Sequence, residues 1–238
     1  MRAVMDFEKI KAEVKTLLGG DNTGHGFDHV EKVYRNAMKL CEAVPEADRD
    51  VVGLAALLHD FDDYKLFGDE GQGKLPNARR IMTSCGVSTT FQDKVCTAIG
   101  DVGYSKRLNG NMPVTAEGRI VSDADMLEAM GATGIIRCMA YALARCTKYG
   151  TPLFDAEVRP EPDMSAEEYK KPDRRSDNFI NHFFEKMLKL KNLLLTEAGK
   201  AEGEKRHEFM VAFLRRFFDE YDAADWQEYL DAYLKKHQ

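Results

Sequence analysis

Apolar residues recur every three or four positions along most of the chain, which is the spacing of helices that bury one face. The pattern that starts at Phe27 stops at Pro45, a residue that breaks helices. Residues 51–58 are apolar on every side and rich in alanine and leucine, so we expect a buried helix there. No segment keeps the period of two that a half-exposed strand requires. The sequence therefore predicts an all-α fold.

One stretch interrupts the helical periodicity. Residues 150–177 contain several prolines and many charges, which is typical of a long polar loop that forms a lid or a mobile crossing. We interpret residues 1–238 as a single helical domain. Beyond the two helices above, the predicted ones cover residues 77–85, 90–99, 116–130, 131–149, 178–198 and 205–221, followed by a short C-terminal helix.

The net charge limits the classes of binding partner, and the cysteine content indicates the cellular compartment. The net charge of −6 argues against broad binding to long nucleic acids or anionic membranes, because both need a basic face. No stretch approaches the roughly 20 apolar residues that span a bilayer, and the N-terminus lacks a signal-peptide core. Five cysteines without a CxxC pair are typical of reduced thiols. We therefore expect a cytoplasmic protein.

The apolar segment "LAALLHDFDDYK" ends in an unusual cluster of polar residues. His59 and Asp60 follow the apolar run directly, and Asp62 and Asp63 come next. A buried, unpaired carboxylate costs several kcal/mol, so such groups need a cation, hydrogen bonds or water. This cluster is the first candidate for a functional site.

Two other predicted helices place similar groups beside apolar residues. His29 lies near the start of one, and Asp123 and Asp125 lie on the other. A divalent cation would supply the charge that these carboxylates lack, and mixed nitrogen and oxygen ligands suit Mn²⁺, Fe²⁺, Co²⁺, Ni²⁺ or Zn²⁺ better than Ca²⁺. Taken singly, His29 could be a packed histidine, and the two aspartates could cap a helix. We interpret His207 and His237 as solvated.

The order of His29, His59-Asp60 and Asp125 resembles the H…HD…D signature of the HD-domain metal-dependent phosphohydrolases. The segments "GHGFDHVEKV", "LAALLHDFDDYK" and "SDADMLEAMGATGIIR" are similar to the family's motif segments. The C-terminal "NHFFEKMLKLKNLLLTEAGKAEG" resembles a bacterial branch that includes nucleoside triphosphate pyrophosphohydrolases. The resemblance implies an all-helical HD fold in which these four residues bind a divalent metal.

The resemblance also bears on the choice and number of metal ions. It selects Asp125 over Asp123, because the family's last ligand is the aspartate of an Ala-Asp pair. Met126 replaces the basic residue that follows in the family, which puts a basic contact from that position in doubt. No histidine occurs between His59 and His182, whereas dinuclear HD enzymes recruit histidines in that region. We therefore expect one metal ion.

Catalytic and substrate-binding roles follow from the same resemblance. Asp62 and Asp63 match an acidic pair that orients or deprotonates water, and Asp63 is the better match. A second interpretation of Asp63 is that it accepts a hydrogen bond that fixes a neighbouring side chain. Phosphate charge requires cations beyond the metal, for which His25, Lys65 and Lys106 are candidates.

The leading hypothesis is a mononuclear metal-dependent phosphohydrolase acting on a small phosphorylated compound, in particular a nucleotide. Within this hypothesis we favour cleavage of nucleoside triphosphates to monophosphate and pyrophosphate. The favoured metal is Mn²⁺, and Fe²⁺, Co²⁺, Ni²⁺, Zn²⁺ and Mg²⁺ are also compatible. A nucleotidase or phosphomonoesterase is the alternative enzyme. A non-catalytic nucleotide-binding regulatory module is the alternative from another class, and a diiron oxygenase is disfavoured by the missing histidines.

Overall fold

The structure is a computed structural model that describes residues 6–18, 26–62, 75–171, 176 and 178–237. These residues form helices, turns and loops without a strand, so the all-α prediction is confirmed. Within these ranges no helix has the length and apolar character needed to cross a membrane. The α-helices are α1 (Phe7–Leu18), α2 (Phe27–Cys41), α3 (Arg49–Leu58), α4 (Pro76–Ser84), α5 (Thr89–Ile99), α6 (Tyr104–Leu108), α7 (Ala116–Glu128), α8 (Gly131–Tyr149), α9 (Ala166–Lys170), α10 (Phe179–Glu185), α11 (Glu197–Glu220) and α12 (Ala224–Lys236).

The prediction of one helix over residues 178–198 is wrong. Helix α10 ends at Glu185, because Lys186 leaves the helical region with φ −139° and ψ −61°. A 3₁₀ helix, Met187–Leu193, follows it, and α11 begins earlier than predicted. Side chains keep their apolar spacing through this change, so periodicity alone does not reveal it.

The predicted polar loop at residues 150–177 contains a short helix. Ser165 starts α9 with a capping box, in which its side chain accepts a hydrogen bond from the Glu168 amide. The Glu168 carboxylate in turn accepts one from the Ser165 amide. The loop prediction is therefore wrong over α9, and capping supplies the local signal that favours a helix there.

The chain divides into two compact units. The first comprises Met1–Glu128 with Leu195–Gly199, and the second comprises Ala129–Leu194 with Lys200–Gln238. In the first unit α2 packs against α3 and α7, and α3 also packs against α5 and α7. All residues from Val51 to Leu58 are buried, as predicted from their uniformly apolar character. The interpretation of the whole chain as one domain stays a prediction.

The second unit has an aromatic core. Phe183 stacks on Phe213, and Trp226 is fully buried with its indole N–H donating to the Ala156 carbonyl at 3.1 Å. This bond satisfies the polar atom that a buried tryptophan brings with it. Phe209 on α11 is 52% exposed and so lies outside this core.

Candidate metal centre

Two histidines and one carboxylate converge in the first unit from three helices. His29 lies in the first turn of α2, His59 is the C-cap residue that follows α3, and Asp125 lies on α7. Both histidines are buried, at 4% and 7% exposure, because their helices pack against each other. One ligand atom from each of the three residues lies within 4.8 Å of the other two. The structure thus brings together residues that are separated by up to 96 positions in the sequence.

Each imidazole is oriented by a hydrogen bond at Nδ1. The Nδ1 of His29 lies 3.0 Å from Oε2 of Glu128, and the Nδ1 of His59 lies 2.9 Å from the Ala56 carbonyl. A carbonyl and a carboxylate accept hydrogen bonds, so the proton of each neutral ring belongs on Nδ1. Each Nε2 therefore presents a lone pair, as in metal-binding histidines whose other ring nitrogen donates a hydrogen bond to a protein acceptor.

The two Nε2 atoms face each other at 3.3 Å. Asp60 places Oδ2 at 3.2 Å from the Nε2 of His29 and Oδ1 at 3.4 Å from that of His59. Asp125 Oδ1 lies 3.7 and 3.8 Å from the same two nitrogens. Lone pairs and carboxylates at these distances repel one another unless a positive charge lies between them.

A divalent metal fits this set of donors. Metal–ligand bonds of about 2.1 Å separate neighbouring ligand atoms by roughly 3.0–3.4 Å, close to the shorter spacings observed here. Two imidazoles with carboxylate oxygens suit first-row transition metals, and this chemistry does not distinguish Mn²⁺ from its neighbours. The residues present therefore fit a metal ion of this class.

Asp123 and Asp125 have different partners although they lie two residues apart. On a helix this spacing turns two side chains by about 200°, so they point to opposite sides. Asp123 accepts hydrogen bonds from the amides of Leu195 and Thr196 at 2.8 and 2.7 Å, and from the Thr196 hydroxyl at 2.7 Å. Burial raises the pKa of Asp123, and these bonds oppose the rise. Asp123 thus attaches Leu195–Gly199 to α7, while Asp125 faces the histidines.

Asp62 is buried and contacts the start of α4. Its Oδ1 accepts hydrogen bonds from the amide and side-chain nitrogens of Asn77, at 3.0 and 3.1 Å. Its Oδ2 accepts one from the Ala78 amide at 3.0 Å. These amides are among the donors that a helix leaves unsatisfied at its N-terminus, so the contacts support an anchoring role. The catalytic role of Asp62 stays a prediction.

The remaining predicted residues are distributed as follows. Asp63, Lys65 and His25 lie outside the described residues. Lys106 lies on α6, and its ammonium group donates to the Gly100 carbonyl at 2.7 Å. Its assignment to substrate binding stays a prediction.

Sequence reasoning missed Glu128. This glutamate is 1% exposed and supplies the acceptor for the His29 ring. It follows Asp125 by three residues, a spacing that places two side chains on the same face of a helix. That spacing is the signal by which it could have been found.

The HD-domain family model matches residues 26–130, which contain His29, His59-Asp60 and Asp125. The protein YpgQ of Bacillus subtilis is 30% identical over 217 residues, which are 91% of this chain and 94% of YpgQ. The chain belongs to the HD-domain superfamily. Both the expected HD fold and the relation to a bacterial branch, represented by YpgQ, are confirmed.

Similar solved structures include a protein of this superfamily. A protein of Lactobacillus plantarum is 29% identical, with a TM-score of 0.77, and the alignment covers 94% of this chain and 100% of that one. An HD-superfamily hydrolase of Bacillus thuringiensis is 30% identical, with a TM-score of 0.66 and coverage of 91% and 97%. YpgQ in complex with ADP is 26% identical, with a TM-score of 0.68 and coverage of 90% and 97%.

Proposed function

We propose that this HD-superfamily hydrolase is a metal-dependent phosphohydrolase that cleaves nucleoside triphosphates to nucleoside monophosphate and pyrophosphate. The observation that carries the proposal is the pair of Nε2 lone pairs facing each other at 3.3 Å beside two carboxylates. Such an arrangement is costly to bury unless it binds a cation. Hydrolysis of phosphoric anhydrides is a reaction that a cation in this setting promotes.

His29, His59, Asp60 and Asp125 would hold one divalent ion, with Mn²⁺ favoured. When bound, the ion would lower the pKa of water and polarise a phosphoryl oxygen. The Nδ1 hydrogen bonds keep both rings in the tautomer and orientation that such binding needs. The buried position of the histidines limits competition from bulk water.

Other residues would complete the reaction. We assign Asp63 to positioning or deprotonating the attacking water, and Asp62 either to the same step or to anchoring α4 near it. His25, Lys65 and Lys106 are the candidates for neutralising the phosphate chain, which carries more negative charge than one ion offsets. Asp63→Ala should retain the metal and lose most of the rate, whereas loss of the metal would contradict this assignment.

The choice of a nucleotide has two supports. The relative YpgQ has been crystallised with ADP. In addition, the C-terminal segment resembles that of the branch containing nucleoside triphosphate pyrophosphohydrolases. Both supports concern the class of substrate.

The test is hydrolysis of nucleoside tri-, di- and monophosphates by chelated protein resupplied with Mn²⁺, with phosphate and pyrophosphate measured separately. We expect pyrophosphate from triphosphates. His59→Ala should lose the metal and about a thousandfold or more in rate, since the ion contributes several kcal/mol to catalysis. His182→Ala, an imidazole on α10, serves as the matched control and should retain both.

Other outcomes would contradict the proposal in distinguishable ways. Phosphate released from monophosphates would identify a nucleotidase. Normal metal content without hydrolysis of any nucleotide would favour the regulatory module. Hydrolysis that is unaffected by both chelation and His59→Ala would exclude a role for this cluster.

A further inference from the structure

A second group of histidines lies in the second unit. His207, on α11, is 6% exposed and so is buried, contrary to the prediction that it is solvated. Its Nδ1 is buried without a hydrogen-bond partner among the described residues. Burial, with a smaller contribution from the positive charge of Lys191, lowers the pKa of His207 to about 4. The ring is therefore neutral at physiological pH.

His237 is half-buried and also has a ring nitrogen that is unpartnered among the residues the structure describes. It follows α12, and its ring lies against that of Tyr233 with centroids 4.3 Å apart. Its Nε2 is also buried without a hydrogen-bond partner within the described part of the chain. Burial lowers the pKa of His237 as well, so this ring too is neutral.

Both histidines line one pocket of about 370 Å³. This volume lies within the range of small-molecule sites. Leu188, Val211 and Leu234 contribute apolar walls, and Tyr233 adds an aromatic one. The pocket is therefore suited to a largely apolar or aromatic ligand.

The ring tautomers specify which hydrogen bonds the pocket offers. A buried N–H without an acceptor is rarer in proteins than a buried lone pair without a donor. The proton of His207 therefore belongs on Nε2, and that of His237 on Nδ1. We assign these two N–H groups, on rings that line the pocket, as donors to a ligand with hydrogen-bond acceptors.

The charges around the pocket argue against an anionic ligand. Lys191 pairs with Glu204 at 3.2 Å, and Arg215 pairs with Asp231 at 2.6 Å. Glu208 also lines the pocket and adds a further negative charge. A phosphate or carboxylate would have to displace one of these partners, whereas an uncharged ligand would not.

We infer that this pocket binds an uncharged heteroaromatic molecule with hydrogen-bond acceptors, of the size of a nucleobase or nucleoside. Its apolar walls favour an apolar or aromatic body, and its two neutral imidazoles favour ring nitrogens or carbonyl oxygens. None of the lining residues lies in the segment 26–130 that contains the metal cluster. The site is thus additional to the proposed catalytic function and does not depend on it.

The test is calorimetric titration of the full-length, Mn²⁺-loaded protein with adenosine and with uridine, as purine and pyrimidine probes. At least one probe should bind. Ala212→Trp, which fills the pocket, should weaken binding about tenfold or more. Ala201→Trp is the matched control, because Ala201 is exposed on the same helix outside the pocket, and it should bind as wild type does.

A second measurement does not depend on a variant that folds. Long-range ¹H–¹⁵N spectra should show His207 as the Nε2–H tautomer, with its signals shifted by the bound probe. His59→Ala should retain binding, which separates this pocket from the metal cluster. The inference is overturned if neither probe binds at millimolar concentration, if Ala212→Trp binds like Ala201→Trp, or if binding disappears in His59→Ala.

Discussion

Glu128 offers a direct test of how the candidate metal centre works. Its carboxylate accepts the Nδ1 proton of His29 at 3.0 Å in a buried position. Glu128→Gln keeps the shape and one acceptor oxygen but removes the negative charge. We therefore expect the variant to fold and to bind metal more weakly, because a less polarised imidazole is a poorer ligand.

The magnitude follows from the nature of the hydrogen bond. A bond to a charged acceptor contributes about 1.5–3 kcal/mol and a neutral one about 0.5–1.5 kcal/mol, so the substitution removes about 1–2 kcal/mol. This corresponds to a loss of roughly 5- to 30-fold in metal affinity. Removing a hydrogen-bond partner of a metal-binding histidine typically costs about 10- to 100-fold, so the two ranges overlap. We expect a loss of about tenfold in Mn²⁺ affinity.

The assay is Mn²⁺ titration of chelated protein in competition with a fluorescent chelator. Glu117→Gln is the matched control, since Glu117 lies on the same helix and accepts a hydrogen bond from the Asp48 amide at 2.9 Å. It carries the same change in charge without contacting either histidine. Equal Mn²⁺ affinity in the two variants would refute the role assigned to Glu128.

Three further predictions concern buried polar groups. Because the pKa of His207 falls from 6.5 to about 4 on folding, the unfolded chain binds a proton at higher pH than the folded chain does. The stability associated with this group is thus present above pH 6.5 and lost towards pH 4. Between pH 7.5 and 5 the wild type should lose roughly 2 kcal/mol relative to His207→Phe in urea unfolding, and a constant difference would contradict this. Asp62→Ala should cost about 2 kcal/mol in unfolding free energy, because it leaves amides at the start of α4 without an acceptor. Unchanged stability with lost hydrolysis would instead identify Asp62 as catalytic. Asp123→Asn should cost about 2–3 kcal/mol in the same assay, since the amide nitrogen cannot accept the bonds that the second carboxylate oxygen now accepts. Wild-type stability in this variant would show that these bonds contribute little.

The sequence predicted the helices of the first unit well, because apolar spacing reports directly which face of a helix is buried. It also identified His29, His59 and Asp125, since a family signature preserves the order of residues that meet in space. It could not distinguish Asp123 from Asp125 by spacing alone, because both have apolar neighbours. Rotation about the helix axis separates their directions, and only the three-dimensional structure shows that one of them faces the histidines.

Long-range hydrogen bonds account for most of what the sequence did not predict. Asp123 contacts Thr196 across 73 positions, and nothing near either residue in the sequence indicates the pairing. The burial of His207 is similar, because it depends on packing between segments that are remote in sequence. Helix α10 was predicted too long for a different reason, since the conformation of Lys186 does not disturb the apolar pattern.

The acidic residues of the first unit distinguish the metal cluster without reference to any family. Asp62 and Asp123 each accept three hydrogen bonds, mostly from backbone amides, so hydrogen bonding stabilises their carboxylates. Asp60 and Asp125 face imidazole nitrogens whose ring protons are engaged on the opposite side. A positive charge stabilises a carboxylate that lies beside a lone pair. The acidic residues after α3 therefore have two different roles: Asp62 anchors a helix, and Asp60 points to the place where a cation is needed.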